Sequence, residues 1–95
     1  MDEFNSNQII ITVTGKDKVG IVSAVSNRLA SHQVNIEDIK QSVMQDFFVM
    51  FMLVEKSNSP LSFKEIKDTL TKTGKDMSME IWVQKKQIFD KMHTI

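Results

Sequence analysis

Eight consecutive apolar residues, Phe47-Phe48-Val49-Met50-Phe51-Met52-Leu53-Val54, constrain this chain more than any other feature. The run is far below the about 20 residues needed to cross a bilayer. Its Phe and Val content favours a strand. A strand sends alternate side chains to opposite faces, so a strand of this composition has both faces withdrawn from water. The fold must therefore supply a cover on each side of it.

The flanking sequence names the other elements. Gln8 to Thr14 is rich in β-branched residues and is bounded by Gly15. It reads as a strand with Ile9, Ile11 and Val13 on its core face. A turn over Gly15-Lys16-Asp17-Lys18-Val19-Gly20 leads into a helix that runs to about His32. Ile21, Val25 and Leu29 recur every four residues and form its apolar stripe. Asp17 is the expected N-cap. Val34 to Gln45 reads as a strand carrying Ile36, Ile39 and Val43, and Asp46 marks a tight reversal into the apolar run.

After a loop over Glu55–Pro60 the second helix is announced by a capping box, Ser62 with Glu65, and by a staple pair, Leu61 with Ile66. Phe63, Ile66 and Leu70 form its buried stripe, and Gly74 is the expected stop. Met77, Met79, Ile81 and Val83 then alternate with Ser78, Glu80, Trp82 and Gln84, which reads as a fourth strand. Lys85 to Ile95 reads as a short helix with Ile88, Phe89, Met92 and Ile95 on one side. Residues 1–7 are expected to be a disordered lead, and 8–95 a single domain that includes a C-terminal helix over 86–93.

The order β-α-β-β-α-β, with right-handed crossovers, gives an α+β ferredoxin-like sandwich. One four-stranded antiparallel sheet carries two helices on one face, the first and third strands lie in its middle, and the short C-terminal helix follows. If Ile9 and Ile81 face the helices, then Ile10 and Trp82 face the other way. That second face needs a cover, either the C-terminal helix or another subunit. So short a helix cannot hide a whole sheet face, which favours self-association through Phe47, Val49, Phe51, Trp82 and Phe89.

Composition removes several functions. The 95 residues hold 12 Lys+Arg against 12 Asp+Glu, so clustered charge for non-specific nucleic-acid binding is missing. Without Cys there is no thiol nucleophile and no disulfide scaffold. The acidic, polar start lacks the features of a secretory signal, and a cytoplasmic protein with no membrane partner is expected. Gly15-x4-Gly20 is followed by Ile21-Val22 rather than Lys-Ser/Thr, so it is not a nucleotide-hydrolysing loop. Ser23, Ser26 and Ser31 have no evident base, and His32 and His93 lie near helix ends, where a solvated role fits. Glu37 and Asp38 are neighbours on a strand and point apart. Lys85-Lys86 reads as a solvated turn. No catalytic set, metal site or cofactor is expected, and the chain reads as a non-enzyme. What remains is a helix start whose N–H groups can receive an anion. Gly20 there serves either close approach of a ligand or tight packing of helix on sheet.

The blocks Ile11-Thr12-Val13-Thr14-Gly15-Lys16-Asp17-Lys18-Val19-Gly20-Ile21-Val22 and Val34-Asn35-Ile36-Glu37-Asp38-Ile39 resemble the ACT domain. With Ile88, Phe89, Met92 and Ile95 near the end, the chain is similar to small stand-alone ACT proteins and to the repeated halves of a glycine cleavage system regulator. Val19 stands where many ACT domains have Pro, and Gln33 where many have Gly. The resemblance implies a regulatory module that binds a small effector, most often an amino acid, at a subunit interface. By matching position, Asp17, Val19, Gly20 and Ile21 would form the loop side of the site, and Asn35 and Ile36 of a neighbour the other side. A homodimer is the favoured assembly. The alternative is an interaction module acting on a metabolic enzyme or regulator without a small ligand.

Overall fold

The computed structural model describes residues 7–92. The order is β1 (Gln8–Lys16), α1 (Ile21–Ser31), β2 (Asn35–Met44), β3 (Phe47–Glu55), α2 (Phe63–Met77), β4 (Glu80–Lys85) and α3 (Lys86–Met92). The four strands form one antiparallel-paired sheet in the order β2-β3-β1-β4. The expected sandwich is therefore the observed fold, with β1 and β3 central. Ile95 and His93, and residues 1–6 of the expected lead, lie outside the described residues. Asn7 is tied to the body: its carbonyl accepts from the Lys56 N–H at 3.0 Å and its amide donates to Ser57 Oγ at 3.1 Å.

The apolar run divides as a strand must. Phe48, Met50, Met52 and Val54 are buried toward the helices, while Phe47, Val49, Phe51 and Leu53 take the outer face. Ile9, Ile11 and Val13 of β1 complete the inner layer, against Ile21, Val25 and Leu29 of α1 and Ile66 and Leu70 of α2. Each such side chain withdrawn from water contributes about 1.5–3 kcal/mol, which makes this layer the main source of stability.

The α2 start is as expected. Ser62 Oγ accepts from the Glu65 N–H at 3.2 Å, and Glu65 Oε1 accepts from the Ser62 N–H at 2.8 Å. Leu61 packs against the core that contains Ile66. Its end is not. The helix passes through Gly74 to Met77, and the left-handed cap is Ser78, at φ 59° and ψ 39°. Met77 is thus helical, and β4 begins only at Glu80. Gly74 serves contact instead of termination. A Cβ there would lie 2.8 Å from the Met79 carbonyl oxygen and 3.0 Å from Ile81 Cγ1. Lys85-Lys86 is exposed at Lys85 as expected but is not a turn, since Lys85 ends β4 and Lys86 begins α3. Lys85 Nζ lies 5.5 Å from the Phe63 ring centroid, and Lys86 opens α3 with an ion pair to Asp90. On β2 the ladder skips Glu37, so Ile36 and Ile39 both reach the inner side. This bulge breaks the alternation expected at Glu37 and Asp38. Gln8 Nε2 donates to Glu37 Oε1 at 3.0 Å across it.

Gly74→Ala should therefore destabilise the domain even though Ala is the better helix former by about 1 kcal/mol. The added methyl meets a backbone carbonyl that cannot swing aside. Chemical denaturation should report a net loss of about 1–3 kcal/mol, the range for overpacking.

Candidate functional site

Residues 17–20 join β1 to α1 and are held at two points. The Asp17 N–H donates to the Asp46 carbonyl at 2.7 Å, which fastens the segment to the β2–β3 turn. Lys18 Nζ donates to the Met77 carbonyl at 2.5 Å. That carbonyl belongs to the last turn of α2, where the helix dipole favours a cation. Between the ties, Val19 is fully exposed.

Asp17 is not the N-cap. That position is Gly20, in the left-handed region at φ 91°, and no side chain caps the helix. The first helical bond is the Ala24 N–H to the Gly20 carbonyl at 2.9 Å. The N–H groups of Ile21, Val22 and Ser23 precede it and are those a helix start leaves to solvent or a ligand. A Cβ on Gly20 would meet nothing within 4 Å. Tight packing therefore does not explain this glycine; its backbone angle does.

A cleft of about 510 Å³ opens here. Asp17, Lys18 and the first turn of α1 form one wall; Gln41, Ser42 and Val43 of β2, with Phe48 beneath, form the other. The volume suits a small molecule. One side offers backbone donors for an anionic group. The Asp17 carboxylate and the Gln41 amide oxygen can receive a cationic one. The apolar floor favours a compact organic ligand.

Of the site residues expected from sequence, this cleft gathers Asp17, Gly20 and Ile21. Val19 stands outside it. Asn35 and Ile36 are at the opposite end of the sheet: Asn35 pairs with Glu55, whereas the β1 end nearest the loop pairs Lys16 with Phe47, itself paired with Met44. At about 3.3 Å per residue the two ends of β2 are some 30 Å apart. Gln41, Ser42 and Val43 were not singled out from the sequence. Their signal was topological, because β2 and β1 both run antiparallel to β3 and so end on the same side.

The outer face holds the expected interface residues. α3 lies against β1 and β4 of its own sheet, with Gln84 Nε2 3.6 Å from Met92 Sδ. A groove of about 550 Å³ runs beside it, lined by Val49, Phe51, Trp82, Phe89 and Met92 above Thr12 and Thr14. Phe47, Phe51 and Trp82 remain 49%, 43% and 57% exposed, and no α3 residue is buried.

The ACT-domain family model matches residues 7–84. The chain belongs to the ACT-domain family. An uncharacterised-family (UPF0237) protein of Clostridium acetobutylicum is 45% identical over 86 residues, covering 90% of this chain and 97% of that one. The solved ACT domain protein from Streptococcus pneumoniae superposes with a TM-score of 0.78 at 36% identity, covering 90% of this chain and 97% of its own. A putative glycine cleavage system transcriptional repressor shares the fold, at a TM-score of 0.72 and 23% identity over 81% of this chain and 44% of that one. The ACT fold is a regulatory one. No helix among the described residues is long and apolar enough to cross a membrane.

Gly20→Ala should cost about 1–2 kcal/mol, the steric price of a left-handed non-glycine residue. Asn tolerates that region, so Gly20→Asn should recover part of the loss. Thermal unfolding of the two variants side by side checks this; equal behaviour would put the glycine requirement elsewhere.

Proposed function

We propose that this protein is a non-catalytic cytoplasmic regulator that binds a small amino acid in the cleft between the Asp17–Gly20 segment and β2, next to another subunit. The observation that carries this reading is the uncapped start of α1, facing a cleft that Asp17 also lines. An amino acid's carboxylate would take the Ile21–Ser23 N–H groups, favoured by the helix dipole. Its ammonium would be received by Asp17.

The second wall is completed by a neighbour. β2 is an edge strand exposed along nearly its whole length. Two β2 strands paired antiparallel about Ile39 would set Asp38 opposite Lys40 twice, a favourable cross-strand pairing. Allowing for the bulge at Glu37, the same register carries a second copy's Ile36 and Asn35 up beside Gln41 and Ser42. Residues remote within one chain would then share one site, and Asn35 would supply a further polar contact to the ligand.

Thermal unfolding against a panel of common amino acids at millimolar concentration tests the reading. A ligand at 100 times its Kd adds about 2.7 kcal/mol, which moves the midpoint of a domain this size by about 10 °C or more. One amino acid should shift it selectively. Asp17→Ala and Asn35→Ala should each remove that shift while leaving the ligand-free midpoint nearly unchanged. A flat panel, or a shift that survives both substitutions, would sink the assignment.

A further inference from the structure

The outer face of the sheet has a step in it. α3 stands on the β1–β4 half, and the β2–β3 half is bare. Four strands spaced about 4.8 Å apart make a face about 19 Å wide. A helix with its side chains is about 10 Å across, so one α3 covers half of this face and two would cover all of it. We propose that a second copy of this chain supplies the missing cover: two sheets pack outer face to outer face about a two-fold axis parallel to the strands, and each α3 fills the bare half of the other. An axis perpendicular to the strands would set α3 on α3, so the step selects the parallel one.

The exposed groups fit this arrangement. Ile88 and Met92 are 51% and 63% exposed on α3, so the helix still has apolar surface to bury after docking on its own sheet. With Phe47, Phe51 and Trp82 they offer roughly 500 Å² of apolar area, taking about half of each large side chain. A standard interface buries about 800 Å² per partner, somewhat over half of it apolar. Polar residues sit where a rim would lie, with Gln8 and Glu55 at one end of the face and Lys16 at the other. Lys40, Phe51, Thr12 and Trp82 form one row across the sheet. The parallel axis reverses that row, so the half that carries Trp82 in one copy lies opposite the half that carries Lys40 in the other, with one α3 between them. This surface is separate from the β2 edge and from the effector cleft, and it stands or falls without them.

Trp82 is the only tryptophan in the chain and reports directly on this face. Its emission, followed from 100 μM to below 1 μM alongside sedimentation equilibrium, should move to the red as the mass falls. Phe51→Glu and, on the helix, Ile88→Glu should each be red-shifted at every concentration and lower the assembly by one association step. Both sites are exposed, so far-UV circular dichroism should stay native. Phe51→Glu should also keep any effector-induced stabilisation, which separates this surface from the cleft. Wild-type emission that ignores concentration, or an assembly unaltered in both variants, would overturn the proposal. So would a chain monomeric at 100 μM whose Trp82 responds only to a different protein or an apolar peptide.

Discussion

Pairing of β3 with its two neighbours is the constraint on which the rest of this molecule depends. Its inner residues Phe48, Met50, Met52 and Val54 meet β1 and β2 through long ladders, and they form the floor on which both helices rest. A slip of one residue would exchange its two faces. Because both faces are apolar, β3 by itself would tolerate such a slip. The register is fixed by the neighbours instead: Ile11 and Val13 alternate with Thr12 and Thr14 on β1, and the two-residue Gln45-Asp46 reversal sets the hairpin. The central strand supplies burial, and its partners supply specificity.

The candidate site is a by-product of that sheet. β1 and β2 end on the same side because both are antiparallel to β3. The segment after β1 must therefore cross close to the end of β2 before α1 can start. Gly20 turns the chain sharply enough for α1 to begin at Ile21, and the turn leaves the first helical amides without a side-chain cap. The Lys18 bond to Met77 and the Asp17 bond to Asp46 hold the segment against two elements distant in sequence. A ligand bound to this segment would touch the α2 end and the hairpin tip together.

Much of the fold was legible in the residues. The strands, the capping box at Ser62 and the stripes of α1 and α2 follow from alternation, periodicity and cap chemistry, which are local. The errors also have local causes. Gly74 carries the signature of a helix stop, but a glycine that lets a strand approach looks the same in one dimension. Asp17 has the chemistry of a cap, but the chain turns three residues later. Lys85-Lys86 has the polarity of a turn, but the chain passes there directly from β4 into α3. The bulge at Glu37 has no sequence marker that alternation alone could detect.

The sequence by itself determined the element order, the inner core and the excess of apolar residues on β3, because each depends on spacing along the chain and on transfer from water. Only the tertiary structure decided which residues share the cleft. Asp17 and Gly20 meet Gln41, Ser42 and Val43 through the antiparallel register, while Asn35 is carried about 20 Å or more along β2 from them. It also decided how far α3 covers the outer face, leaving Phe51 and Trp82 half exposed. Contacts of this kind depend on where strands of distant sequence are brought side by side, and no local pattern encodes that distance.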